Sequence, residues 1–117
     1  MSDAPAEVGW VIFDCVDEDR VATFWQELLG LEGRRRRDQY VFARAPSGLG
    51  FGFQRVAGAK TSKNRVHVDL RVADLPRTRT HVVELGGAEL PDYDGGFVVM
   101  ADPEGNEFCL IPAEDAA

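Results

Sequence analysis

The sequence predicts an α+β fold in which the order strand–helix–strand–strand–strand occurs twice. Val66–Val72 alternates apolar and polar residues without a break, which is the period of a strand with one buried face. A similar pattern occurs at Val11–Val16. Each pattern is followed by an aspartate, Asp17 or Asp74, and then by apolar residues at helical spacing that end in Leu-Gly. The repeated order therefore predicts two similar modules in one chain.

The first module is predicted at about residues 8–56. Its first strand is Gly9–Val16, and its helix is Glu18–Leu29, because Asp17 is a good N-cap and Gly30 a good helix stop. The apolar residues between these two ends recur at helical spacing and form one stripe. Three further strands are predicted at Glu32–Arg37, Gln39–Ala45 and Gly50–Val56.

A polar connector is predicted at residues 57–65, because it contains Gly, Lys, Ser and Asn and lacks apolar periodicity. The second module, about residues 66–112, begins with the strand Val66–Val72. Asp74 caps its helix, which has Pro76 in the first turn and ends at Gly86-Gly87. Its remaining strands are predicted at Ala88–Leu90, Phe97–Ala101 and Glu107–Ile111, with turns at Pro91–Gly96 and Asp102–Asn106 and a loose tail from Pro112.

Composition restricts the class of protein and its partners. A chain of 117 residues with 44 % hydrophobic and 28 % charged residues is typical of one globular domain. Its formal net charge of -7 argues against nucleic-acid and anionic-membrane partners, which attract clustered positive charge. The two cysteines form no disulfide framework, and no signal peptide is visible. We therefore expect a cytoplasmic protein with reduced thiols.

Three stretches together resemble the vicinal oxygen chelate superfamily, the group of glyoxalase I, bleomycin-resistance proteins, fosfomycin-resistance enzymes and extradiol dioxygenases. They are Phe24–Leu31, Val66–Leu70 and Asp102–Phe108. The resemblance extends from about Val8 to Pro112 and is greatest to the small glyoxalase-like domain proteins. It implies two βαβββ modules whose mixed sheets curl around a shared cleft, with the helices outside.

In that fold, strand alternation separates the residues that line the cleft from those that face the helices. Val66, Val68, Phe13 and Phe53 belong to the helix-facing set. The connector contributes the basic residues Lys60, Lys63 and Arg65 near one rim. The predicted ligand-binding residues in the cleft are Trp10, Ile12, Asp14, Gly52, Gln54, His67, Asp69 and Cys109.

In metal-binding members of the superfamily, four ligands come from strands one, four, five and eight, and the resemblance implies the same positions for any metal here. His67 matches the strand-five ligand, but Ile12 occupies the strand-one position and cannot coordinate a metal. Cys109 stands where the family usually has a glutamate. We therefore expect no standard metal centre and no cofactor, although a divalent metal, if present, would use His67, Glu107 and Gln54.

The candidate catalytic residues are His67, Asp69, Asp14 and Glu107, and each has a structural alternative. His67 is either an acid–base group or a neutral imidazole hydrogen-bonded to Asp69 or Glu107. Asp14 and Asp69 hold matching positions and either share a proton or are held by Arg71 or by backbone N–H groups. Cys109 is a nucleophile only where His67 lowers its pKa, and otherwise fills space.

Three other features have two interpretations each. Trp10 either stacks on a flat ligand or packs at the rim or a subunit interface. Gly50 and Gly52 leave the cleft wall low, which gives room for a ligand or for a close backbone approach. The run Arg34–Arg37 is either a solvated edge or a surface that attracts an anionic ligand.

The sequence predicts a glyoxalase-like protein that binds a small organic molecule, without the standard metal centre. One alternative is a metal-dependent lyase or isomerase that uses His67 and Glu107. Another is a non-catalytic partner-binding or regulatory module whose cleft is vestigial. Related two-module chains commonly pair, so we also expect a homodimer.

Overall fold

The two modules form two four-stranded sheets of the same topology. The computed structural model describes residues 4–91 and 98–113. The first sheet contains β1 (Trp10–Cys15), β2 (Glu32–Arg37), β3 (Tyr40–Arg44) and β4 (Gly50–Arg55) in the order β1-β4-β3-β2. The second contains β5 (Val68–Val72), β6 (Ala88–Glu89), β7 (Val98–Ala101) and β8 (Glu107–Pro112) in the order β5-β8-β7-β6. In each sheet the first and last strands are parallel and the other pairs antiparallel, which confirms the predicted α+β fold of paired βαβββ modules.

Both helices begin where the sequence predicts. Helix α1 is Glu18–Leu29, and the Asp17 side chain accepts a hydrogen bond from the Arg20 backbone N–H at 3.1 Å. This bond satisfies one of the N–H groups that the first turn leaves without an intrahelical partner. Helix α2 is Leu75–Glu84, and Asp74 accepts from the Arg77 N–H in the same way.

Helix α1 supplies the centre of the hydrophobic core. Phe24 and Trp25 are buried, and the Trp25 ring stacks on Phe13 of β1 with centroids 4.8 Å apart. The same ring also meets Phe108 of β8 edge-on at 4.8 Å. Because one helix contacts strands of both sheets, it joins the two modules into one packed unit.

The turn Asp102–Asn106 is a second link between the modules. The buried Asp102 carboxylate accepts a hydrogen bond from Trp25 Nε1 at 3.0 Å and from Asn106 Nδ2 at 2.8 Å. Its neighbour Glu104 accepts from the backbone N–H groups of Val16 and Asp17 at 2.6 and 2.7 Å. A carboxylate at this end of α1 is also favoured by the helix dipole.

The start of β5 differs from the prediction. Regular pairing begins at Val68, opposite Phe108, and Val66 is 83 % exposed rather than facing the helices. The reason is that Asn64 is bonded to Glu107, so the chain joins the sheet only after His67.

Two stretches that the sequence predicts as irregular are not among the described residues. Most of the predicted turn Pro91–Gly96, and the tail beyond residue 113, lie outside the described residues. Neither helix of the described part of the chain is long and apolar enough to span a bilayer.

Candidate functional site

A groove runs along the free edge of β1, and we call it the interstrand groove. Its volume is about 470 Å³. Among the described strands, β1 pairs with β4 on one side and with no strand on the other. The connector crosses opposite that free side, and the groove lies between them. The lining consists of residues 11–15 of β1, Val56, residues 58–68, and Glu104, Asn106 and Glu107. Ile12, Asp14, His67 and Glu107 are thus four predicted site residues that line it, together with the basic connector residues.

Glu107 holds the connector in place. Its Oε1 accepts a hydrogen bond from the Asn64 N–H at 2.9 Å and lies 3.1 Å from Lys60 Nζ. Its backbone carbonyl accepts from Asn64 Nδ2 at 3.2 Å. Burial by itself raises the pKa of Glu107, but the Asn64 N–H and the Lys60 ammonium outweigh burial, so the pKa is lowered. Glu107 is therefore an ionised anchor in this arrangement.

His67, Asp69 and Cys109 form a cluster beside the groove. The β5–β8 register places Asp69 opposite Cys109, and His67 Nε2 lies 3.3 Å from Asp69 Oδ1. Potential ligand atoms of the three residues all lie within 4.8 Å of one another. Asp69 is thus the carboxylate beside His67, and Arg71 forms no ion pair with Asp69 in the described residues. The role of His67 stays a prediction.

The Cys109 thiol is not activated. Burial, followed by the neighbouring Asp69 carboxylate, raises the pKa of this thiol. A raised pKa keeps the sulfur protonated near neutral pH, where the thiolate is the nucleophilic form. The geometry therefore favours a space-filling thiol over a nucleophile.

The four-ligand metal centre that the resemblance implies does not fit this chain. Ile12 and Gly52 are neighbours in the β1–β4 register, and neither has a side-chain donor atom. Glu107 was expected beside His67 as a ligand, but its carboxylate binds Lys60 and Asn64 instead. Gln54, the third expected ligand, lies on β4 beside Asp14. The donors that do gather around His67 are Asp69 and Cys109.

The face of the first sheet opposite α1 carries its own side chains above two glycines. A Cβ atom at Gly50 would collide with the Trp10 ring, and one at Gly52 would collide with Ile12 and Phe42. The missing side chains of these glycines therefore make room for neighbouring residues of the protein. Trp10 packs against Phe42 with centroids 4.8 Å apart.

Asp14 is the exposed acid of the groove. Among residues 4–91 and 98–113, no hydrogen bond or ion pair reaches its carboxylate. Asp14 is therefore available to a ligand in the groove. The interpretation that Asp14 shares a proton with Asp69 stays a hypothesis.

Sequence reasoning missed two residues that shape the site. Glu104 and Asn64 looked like turn and connector residues, yet Glu104 binds the backbone just before α1 and Asn64 fixes the connector. Both also line the groove. The acid in the turn Asp102–Asn106 was a usable signal, since a helix N-terminus attracts carboxylates, but the sequence does not indicate which helix it reaches.

Comparison with known proteins agrees with the fold. The chain matches the family described as "Glyoxalase-like domain" over residues 10–111. None of the curated proteins matches it significantly.

Several solved structures share the fold. A glyoxalase/bleomycin resistance protein/dioxygenase family enzyme from Burkholderia phytofirmans has a TM-score of 0.69 at 15 % identity, covering 90 % of this chain and 97 % of that one. The fosfomycin resistance protein FosX from Listeria monocytogenes, solved with Mn(II) and 1S,2S-dihydroxypropylphosphonic acid, has a TM-score of 0.71 at 13 % identity, covering 93 % of each chain. Glyoxalase I from Leishmania major has a TM-score of 0.65 at 16 % identity, covering 93 % of this chain and 88 % of that one. At these identities the likeness concerns the fold.

Proposed function

Since the chain belongs to the glyoxalase-like domain family, we propose that it binds a small organic molecule in the interstrand groove, without the four-ligand metal centre. The observation that carries the proposal is the groove itself. Its volume of about 470 Å³ lies within the roughly 300–1,000 Å³ of small-molecule sites. Above Gly50 and Gly52 the space is taken by neighbouring side chains, so we assign the ligand to the groove instead.

The lining supports an organic ligand with both apolar and polar parts. Ile12 is 41 % exposed and offers apolar surface. Asp14 and His67 offer an acceptor and an imidazole, while Lys60 is already neutralised by Glu107. A few polar groups around an apolar surface are typical of sites that orient small molecules.

The proposal is tested by NMR with ¹⁵N-labelled protein and a library of small aromatic and heterocyclic compounds. Bound compounds should shift amides of residues 11–15 and 58–68. Ser62→Trp fills the groove and should abolish these shifts, while the same substitution at Ser47, in the β3–β4 turn, should preserve them. Absence of any compound that shifts these amides, or shifts that survive Ser62→Trp, would contradict the proposal.

A second candidate function is metal-dependent lyase or isomerase chemistry, and the cluster of His67, Asp69 and Cys109 favours it. Imidazole, carboxylate and thiolate are ligands that Zn²⁺ and Co²⁺ accept. Against it, a metal must displace the proton that the raised pKa keeps on Cys109. All three donors also belong to the second module, whereas the four-ligand centre of the superfamily takes ligands from both modules.

Titration with Co²⁺ separates the two candidate functions. Thiolate coordination gives a charge-transfer absorption band, which should disappear in Cys109→Ser and His67→Gln if the cluster binds metal. His81→Gln, which removes the other histidine from exposed α2, is the matched control. We expect no stoichiometric band, and its appearance would favour the metal-dependent alternative.

A further inference from the structure

The arginine run of β2 is divided between the two faces of the first sheet. Arg34 and Arg36 point toward α1, where Arg34 pairs with Asp19 at 3.1 Å and Arg36 with Glu18 at 3.0 Å. Arg35 has the opposite orientation, because strand alternation reverses the face at each residue. The run thus lies on an exposed edge strand, as predicted, and its arginines serve two different faces.

The opposite face carries an aromatic layer with two arginines on it. We call it the aromatic–arginine face, made of Trp10, Tyr40, Phe42, Arg35 and Arg44. Arg44 Cζ lies 4.4 Å from the Trp10 ring centroid, and Arg35 Cζ lies 5.8 Å from the centroids of both Trp10 and Phe42. These are cation–π distances, so the rings hold both guanidinium groups in place.

Neither of these two arginines has an acidic partner within the part of the chain that the structure describes. Glu32 lies opposite Arg44 in the β2–β3 register but forms no ion pair with it. Arg44 Nη1 donates to the Gly48 carbonyl at 2.9 Å, which leaves its other donors available. The protein has more acidic than basic residues, 20 against 13. Acidic side chains are therefore abundant, yet none of those described pairs with Arg35 or Arg44.

We propose that the aromatic–arginine face binds a small aromatic carboxylate. A guanidinium presents N–H groups in a fork that matches a carboxylate. The partly exposed rings of Tyr40 and Phe42, stacked with centroids 5.3 Å apart, offer apolar contact to the aromatic part of the same ligand. Because cation–π contacts already hold the two guanidinium groups in position, less conformational entropy is lost when the carboxylate binds.

This site is distinct from the interstrand groove, although both adjoin β1. Arg35, Arg44, Tyr40 and Phe42 do not line the groove. The inference therefore does not rest on the proposed function, and different amides report the two sites.

The test is an NMR titration of ¹⁵N-labelled protein with 1-naphthoate, and with the neutral 1-naphthamide for comparison. Naphthoate should shift the Trp10 indole N–H and the amides of Phe42 and Arg44. Arg44→Gln should weaken binding about tenfold or more, the effect of losing a charge-assisted hydrogen-bonded pair. Arg44→Lys should bind with intermediate affinity, because a lysine keeps the charge and loses the fork.

The matched control is Arg77→Gln, which removes the same charge from exposed α2 and should leave the affinity unchanged. Equal binding of naphthamide would overturn the inference, as would equal weakening by Arg77→Gln or an absence of shifts at Trp10. Light scattering tests whether a second copy occupies the face instead. A wild-type dimer that Arg44→Gln converts to a monomer would also overturn the inference.

Discussion

The two modules have the same strand order but contribute unequally to the core. Helix α1 has 12 residues and buries Val21, Ala22, Phe24 and Trp25 as well as Glu18, whereas α2 has 10 residues and buries Val82. Strand β2 has six residues and its counterpart β6 has two. The first module therefore supplies the helix on which both sheets depend.

The turn before the last strand also differs between the modules, because that of the second module contacts the first module. In the second module, Asp102 and Glu104 reach back to Trp25 and to the start of α1. The corresponding turn of the first module, Ala45–Leu49, has no carboxylate. The repeated pattern of the sequence thus sets the same topology in both modules. The contacts between the modules depend on a few side chains that only one module carries, such as Asp102 and Glu104.

Truncating the two helices at their buried faces should give the largest contrast. Phe24→Ala should lower the free energy of unfolding by about 3–5 kcal/mol, because it leaves a cavity between both sheets. Val82→Ala removes less volume and should cost roughly 2 kcal/mol. Urea unfolding followed by circular dichroism measures both values. An equal or larger effect of Val82→Ala would contradict the unequal roles of the helices.

The hydrogen bond between the modules should have a smaller effect. Trp25→Phe removes the donor to the buried Asp102 carboxylate, at a cost of about 1–3 kcal/mol. Trp10→Phe makes the same chemical change on a partly exposed ring whose N–H has no carboxylate acceptor in the part of the chain that the structure describes. Thermal unfolding should therefore show a lower Tm for Trp25→Phe than for Trp10→Phe, and the reverse order would argue against the link.

The anchor of the connector is expected to act locally. Glu107→Gln weakens the contact with Lys60 and should speed trypsin cleavage at Lys60, Lys63 and Arg65. Glu89→Gln, which breaks the exposed pair with Arg79, is the control and should leave the cleavage rate unchanged. Unchanged cleavage in Glu107→Gln would show that the carboxylate does not hold the connector.

The same anchor makes the contact pH-dependent. Because folding lowers the pKa of Glu107, its contribution to stability is present above the ordinary glutamate value of 4.5. It is lost as the pH falls through the lower folded value. The NMR shift of the Asn64 amide should therefore stay constant near neutral pH and change below that ordinary value. A midpoint at or above it would contradict the contact.

The smallest contrast compares two neighbouring arginines of β2. Arg36→Gln removes ion pairs with Glu18 and Asp19, and Glu18 is buried, so the Tm should fall. Arg35→Gln removes no ion pair with any described residue and should change the Tm little. Differential scanning fluorimetry of the two variants checks the order. A greater loss for Arg35→Gln would contradict the division of the run between two faces.

Local patterns were sufficient to predict the elements. The bounds of α1 and β2 agree with the prediction, since caps and periodicity lie within the segment itself. The prediction from the alternation at Val66–Val72 was wrong at Val66, because regular pairing begins at Val68. The hydrogen bond between Asn64 and Glu107 holds the chain just before that strand, and it joins residues 43 positions apart. A local pattern cannot indicate such a distant contact. Whether a ligand or a side chain occupies the space above Gly52 was also not predictable, because it depends on the rotamers of Ile12 and Phe42, which lie on other strands.

The central claim is that a groove between β1 and the connector receives a small organic molecule. A crystal structure of the protein purified without added ligands tests it most directly. We predict a groove bounded by Ile12, Asp14 and His67 that is open or contains density for an organic molecule. A connector packed directly against β1, with no space between them, would contradict the account.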